Sequence, residues 1–126
     1  MESEDPRERR KTARILLDEL VSFTPFVGSS SLGQGVDVSL GGIRFRVVGC
    51  QLGHDEMVQV SFNVANQTVE AVGHVVQLQQ LDDITIEVHL EFVRIDPWAA
   101  RMLEREAVAI EARRERGSGS HGEPAS

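Results

Sequence analysis

The strict one-in-two alternation of apolar residues in the later half of the chain is the feature that most limits its fold. From Ile84 to Phe92, Ile84, Ile86, Val88, Leu90 and Phe92 fall on one side, with Thr85, Glu87, His89 and Glu91 on the other. A period of two belongs to a half-buried β-strand, not to a helix. Met57–Val64 repeats the pattern, with Val58, Val60, Phe62 and Val64 against Gln59, Ser61 and Asn63. Ile43–Val48 does so again, with Ile43, Phe45 and Val47 against Arg44, Arg46 and Val48. Ala65-Asn66-Gln67 reads as a tight hairpin turn into a strand over Thr68–Gln79, and Leu81-Asp82-Asp83 as the next turn. Gly73, inside that strand, predicts a bulge or a close backbone approach. Five or six antiparallel strands joined by short turns close into a small barrel or pack as a sandwich, either of which limits exposed edges.

The first part of the chain is less regular. Ile15–Val27 reads as a first strand with Leu16, Val21, Phe23 and Val27 as core candidates, and Pro25 suggests an edge or a bulge. Gly28–Gly35, with three consecutive serines, reads as a loop. Val36–Ser39 is then a short strand that ends in Leu40-Gly41-Gly42, and Gly49–Glu56 is a loop. Asp96-Pro97 switches the period: Asp suits an N-cap and Pro the first helical position. The helix is expected to run to about Arg116, with Ala99, Met102, Leu103, Ala107 and Ile110 as its apolar stripe. Trp98 is expected to plug one end of the barrel. Residues 1–6 form a charged lead-in, and the low-complexity residues 117–126 are expected to be disordered.

Composition bounds the function. A chain of 126 residues is one domain by length, with 40% apolar and 26% charged residues. The net charge of −7 argues against a basic surface for nucleic acid. That charge is uneven, because Arg7, Arg9, Arg10, Lys11 and Arg14 cluster around Glu8 alone. The single Cys50 excludes an internal disulfide and suits a reducing compartment. No apolar run approaches the ~20 residues of a membrane span. The acidic start resembles no signal peptide, so a cytoplasmic protein is expected, as a monomer or weak homodimer.

Nothing in the sequence supports catalysis. His54, His74, His89 and His121 are far apart and Cys50 has no partner thiol, so no metal site or cofactor is expected. His89 reads as a surface residue, and a nucleophilic role for Cys50 needs a base that the sequence does not supply. No GxSxG, Walker A or GxGxxG is present.

Two short motifs point elsewhere. Arg10 and Arg14 form RxxxR, and after a gap of 22 residues Asp37-Val38-Ser39-Leu40-Gly41-Gly42 forms DxSxxG at a strand-to-strand turn. In this order and setting the pair resembles the PilZ domain, the bacterial receptor module for cyclic di-GMP, whose signature is RxxxR followed by (D/N)x(S/A)xxG. Gly73-His74-Val75-Val76 also stands where a Gly-x-Val-Val segment is common in that family. Arg9 lies one residue early for the spacing to Arg14. The resemblance implies a six-stranded antiparallel barrel with a C-terminal helix, in agreement with the strand pattern. It divides residues 7–116 into a basic switch segment (7–14), the barrel (15–95) and the helix (97–116).

It also implies a ligand site made of Arg9, Arg10, Arg14, Asp37, Ser39, Gly41 and Gly42. The chemistry is suitable. Guanidinium groups fork onto phosphate oxygens and stack on purines. Guanine offers N7 and O6 to an arginine, and its N1 and N2 donors suit the Asp37 carboxylate. Ser39 can add a hydroxyl contact, and the glycines allow close backbone approach. The expected function is a receptor and not an enzyme: ligand orders a mobile basic segment, which then alters contact with an unidentified partner protein. The alternative is a PilZ-fold interaction module in pilus or flagellar regulation that works without the nucleotide. A single-strand nucleic-acid barrel ranks below both, because aromatics are only 5% and Tyr is absent.

Overall fold

The computed structural model describes residues 13–49 and 52–121. Seven strands are followed by one helix: β1 Ile15–Leu16, β2 Leu20–Pro25, β3 Ser31–Val38, β4 Gly42–Val48, β5 Met57–Val64, β6 Gln67–Gln80, β7 Thr85–Ile95 and α1 Pro97–His121. All pairings are antiparallel, and the sheet runs β3-β2-β5-β6-β7-β4 before β4 closes back onto β3. This is a six-stranded closed barrel. The short β1 is an extra strand, paired to the end of β3 through Ile15 opposite Val38 and Leu16 opposite Asp37.

Alternation sorts the side chains as expected, except that Ile84 lies before β7 and is exposed. Ile43, Phe45, Val47, Val58, Val60, Phe62, Val64, Val88 and Leu90 are buried inside the barrel. The Phe23 and Phe45 rings pack with centroids 5.0 Å apart. The β5–β6 hairpin turns on Ala65 and Asn66, whose φ values of 52° and 63° are the left-handed pair that a two-residue hairpin turn requires. Gly73 marks a register shift in the β6–β7 ladder, and a Cβ there would lie 2.8 Å from the carbonyl oxygen of Glu91. In the next turn the Asp82 carboxylate accepts the backbone N–H groups of Ile84 and Thr85 at 2.9 and 2.8 Å.

The first part of the chain differs from expectation. Ile15–Val27 is not one strand, because the pairing breaks between Leu16 and Leu20, where Leu17 N–H donates to Val36 and Glu19 accepts from Gly35. Val21 and Phe23 are core residues, whereas Leu16 and Val27 are exposed, on the outer face of β1 and in the β2–β3 turn. Ser31–Gly35 belongs to β3 and not to a loop. Its glycines are strand residues in crowded places: a Cβ on Gly33 would lie 2.9 Å from the Phe45 ring and from the Arg46 carbonyl oxygen.

Helix α1 starts as predicted, with Ala100 N–H donating to the Asp96 carbonyl at 2.9 Å. Ala99, Met102, Leu103 and Ala107 are buried, the first three within the barrel's own core cluster. Trp98 does not plug the barrel; it is 39% exposed, and Leu103, fully buried, fills the interface instead. The helical backbone continues to His121, beyond the expected end near Arg116. The tail's last residues, 122–126, lie outside the described residues, as do the lead-in, Cys50 and the basic cluster before Ala13.

Candidate functional site

The turn between β3 and β4 is built by its own motif. Ser39 N–H donates to the Gly42 carbonyl at 2.8 Å, and Gly41 N–H donates to Ser39 Oγ at 3.2 Å, so the hydroxyl closes the turn locally. Gly42 opens β4 directly against β7, where a Cβ would collide with the Leu90 carbonyl oxygen. The close approach that this glycine permits is therefore that of the neighbouring strand.

Asp37 and Ser39 are buried, at 4% and 2% exposure, and they are the buried polar side chains among the described residues. A carboxylate so placed must be paired, since an isolated buried charge is very costly. Two arginines pair it. Arg14 donates Nε and Nη2 to Asp37 Oδ1 at 2.9 and 2.6 Å, and Nη1 to Ser39 Oγ at 2.8 Å. Arg44 forks across the carboxylate, with Nε on Oδ1 at 2.9 Å and Nη2 on Oδ2 at 2.5 Å. Burial alone would raise the Asp37 carboxyl pKa, but the hydrogen bonds and charges of Arg44 and Arg14 hold it below the usual aspartate value.

Register explains how the groups meet. Leu16 of β1, Asp37 of β3, Arg44 of β4 and His89 of β7 are successive cross-strand partners on the outer face of the barrel. Arg14 stands two residues before Leu16 and so reaches the same face. His89 is half-buried; burial and the charges of Arg14 and Arg44 push its pKa down, so it is neutral near pH 7. Two guanidinium groups, Arg14 and Arg44, form the cationic part of this cluster, with Glu87 and Glu91 acting on Arg44 and His89 from β7. The pair suits an anionic ligand.

Of the sequence-derived residues, the structure brings together Arg14, Asp37 and Ser39, with Gly41 and Gly42 in the adjoining turn. Arg9 and Arg10 lie outside the described residues. Arg44 and His89 join the cluster without belonging to either motif. Counting across the turn would have placed Arg44 opposite Asp37; the position of His89 depends on β4–β7 register, which no local pattern reveals. Among the described residues, no group of three or more His, Cys, Asp or Glu is placed to hold a metal ion, and no helix is long and apolar enough to cross a membrane.

Known structures share this architecture. The chain is similar to the Bacillus subtilis inhibitor of motility MotI/DgrA, with a TM-score of 0.70 and 15% identity, over 83% of this chain and 52% of that one. It thus spans about half the length of that protein. It is also similar to the PilZ domain of YcgR from Escherichia coli, solved with c-di-GMP, with a TM-score of 0.58 and 15% identity over 87% and 97% of the two chains. For K. pneumonia MrkH in complex with c-di-GMP the TM-score is 0.61 at 15% identity, over 82% and 52%. No curated protein matches the sequence. The sequence itself matches the PilZ domain over residues 8–108, and the chain belongs to the PilZ domain family.

Proposed function

We propose that this chain is a cyclic di-GMP receptor that acts as an adaptor and not as an enzyme. The supporting observation is that one guanidinium, Arg14, rests on both Asp37 and Ser39, so the two separated motifs meet at a single place. Further support comes from the guanidinium pair of Arg14 and Arg44 and from PilZ structures of the same fold solved with c-di-GMP. The ligand carries two phosphates and two guanines. Arg10 and Arg14 fork onto phosphate oxygens and stack on guanine faces, with Arg9 alongside. Asp37 accepts from the guanine N1–N2 edge, Ser39 adds its hydroxyl, and Gly41 and Gly42 shape the turn beneath. Binding gathers the basic segment 7–14 against the barrel, and the surface so formed alters contact with a partner protein.

Calorimetric titration with cyclic di-GMP tests this. The parent protein is expected to bind at about micromolar affinity, equivalent to about −8 kcal/mol. Arg14→Ala and Asp37→Ala should each lose most of the heat. A parent protein that gives no heat at tens of micromolar sinks the receptor reading and leaves an interaction module of the same fold. Equal binding by parent and Arg14→Ala means that the ligand sits elsewhere.

A further inference from the structure

Asp37 is oversubscribed in a particular way. Oδ1 accepts three N–H groups, two from Arg14 and one from Arg44, whereas Oδ2 accepts one, from Arg44. A carboxylate has about four acceptor positions, two on each oxygen, so Oδ1 is crowded. The two arginines are also not equivalent. Arg44 spans both oxygens from the middle of a barrel strand that is paired on both sides, directly opposite Asp37 in one ladder and His89 in the other. Arg14 uses one oxygen and a hydroxyl, and it precedes a strand of only two residues. If one of them is to leave the carboxylate for a ligand, it is Arg14.

Departure of Arg14 has a physical condition. A carboxylate this buried cannot be left without a counterion. With Arg44 forked across it, Asp37 stays neutralised while Oδ1 frees a position for a ligand N–H. We propose that Arg44 is the standing counterion of this site, the positioning residue that lets Arg14 exchange Asp37 for the ligand. Resting on the receptor reading above, this assigns the site a division of labour: Arg44 fixed, Arg14 exchangeable, Asp37 passed from one donor to the next. Arg44 acts through Asp37 and not by touching ligand.

Two measurements test it, and they fail separately. The first needs no ligand: NMR hydrogen exchange at the arginine Nε–H groups. In Arg44→Gln, Arg14 becomes the sole counterion, so its Nε–H should exchange several-fold more slowly than in the parent. Unchanged or faster exchange overturns the proposal. The second is calorimetry with cyclic di-GMP on the parent, Arg44→Gln, Arg44→Lys, Asp37→Asn and Arg44→Gln/Asp37→Asn. Arg44→Gln should weaken binding about tenfold or more, because Arg14 is then held in place. Arg44→Lys keeps the charge and should lose less. Asp37→Asn by itself weakens binding, because it removes an acceptor for the ligand, but it also removes the charge that detains Arg14. Adding Arg44→Gln in that background should therefore cost less than half, on a logarithmic scale, of what it costs in the parent. An Arg44→Gln loss as large in the Asp37→Asn background as in the parent would mean that Arg44 touches the ligand directly, and tighter binding by Arg44→Gln would mean that Arg44 blocks the site; either overturns the proposal. Absence of heat from the parent removes the receptor reading, and the exchange measurement then decides the counterion role by itself.

Discussion

Arg44 lies directly across the β3–β4 ladder from Asp37 and spans both of its carboxylate oxygens, at 2.9 and 2.5 Å. Arg14 approaches the same carboxylate from the β1 side. The buried charge therefore has two counterions on two separate elements, and either can cover for the other. Replacing Arg14 or Arg44 singly with Ala should cost about 1 kcal/mol of folding stability, a modest loss for one charged hydrogen-bond partner. Replacing both leaves Asp37 buried and unpaired and should cost about 3–5 kcal/mol. Urea denaturation of the four proteins gives the coupling directly, and it should exceed about 1 kcal/mol. A coupling near zero would show that the two arginines act on the carboxylate independently and that neither covers for the other.

Gly42 serves the barrel closure as well as the motif. A Cβ at this position meets the Leu90 carbonyl oxygen, backbone that cannot move without separating β4 from β7. Gly42→Ala should therefore destabilise by about 2–3 kcal/mol, as overpacking does in a rigid place. The loss should appear as a lower melting temperature of the ligand-free protein. An unchanged melting temperature would mean that the turn can shift outward, and that the glycine is needed only for what binds there.

The barrel was legible in the sequence where the alternation is strict, as in β4, β5 and β7, because one buried face imposes period two on every strand. It was illegible in β3, where Ser31–Gly35 has the composition of a loop. There the glycines face Phe45, the Arg46 carbonyl and Leu17, so bulk on the opposing elements replaced bulk in the strand. Leu16 and Val27 misled in the reverse direction: apolar residues flanking a broken strand need not point inward. The motifs disclosed Arg14, Asp37 and Ser39 as a group, since polar residues at a strand-end turn carry their own geometry. Arg44 belongs to neither motif, although counting across the β3–β4 turn places it opposite Asp37. The position of His89 arises from β4–β7 register, which no local pattern reveals.

The helix offers a cleaner test of packing, because Trp98 was expected to plug the barrel and the stripe residue Leu103 is buried there instead. Leu103 is fully buried in the barrel's core cluster, whereas Trp98 is 39% exposed. Leu103→Ala should cost about 2–5 kcal/mol, the usual cost of a core cavity. Trp98→Ala should cost less than about 1 kcal/mol, within the range of surface substitutions. Chemical denaturation of the two variants distinguishes them, and the reverse order would return Trp98 to the barrel mouth.

The site also sets two limbs of the stability–pH curve, with different owners. His89 titrates below its usual value of 6.5 in the folded protein, first because of burial and then because Arg14 and Arg44 repel its charged form. Between the folded and unfolded values the unfolded chain binds a proton that the native state refuses. Stability should therefore fall as pH drops from about 6.5, and His89→Gln should remove that slope. Asp37 behaves in the opposite sense at lower pH. Its carboxyl titrates below the usual 3.8 when folded, so its contribution is intact above that value and disappears as pH falls through the folded one. Asp37→Asn should be less stable than the parent at pH 6, with the gap closing below pH ~4. Urea midpoints of the parent and both variants between pH 3 and 8 separate the limbs. If His89→Gln leaves the upper limb unchanged, neither burial nor the arginines depress His89, and the cluster ends at Arg44.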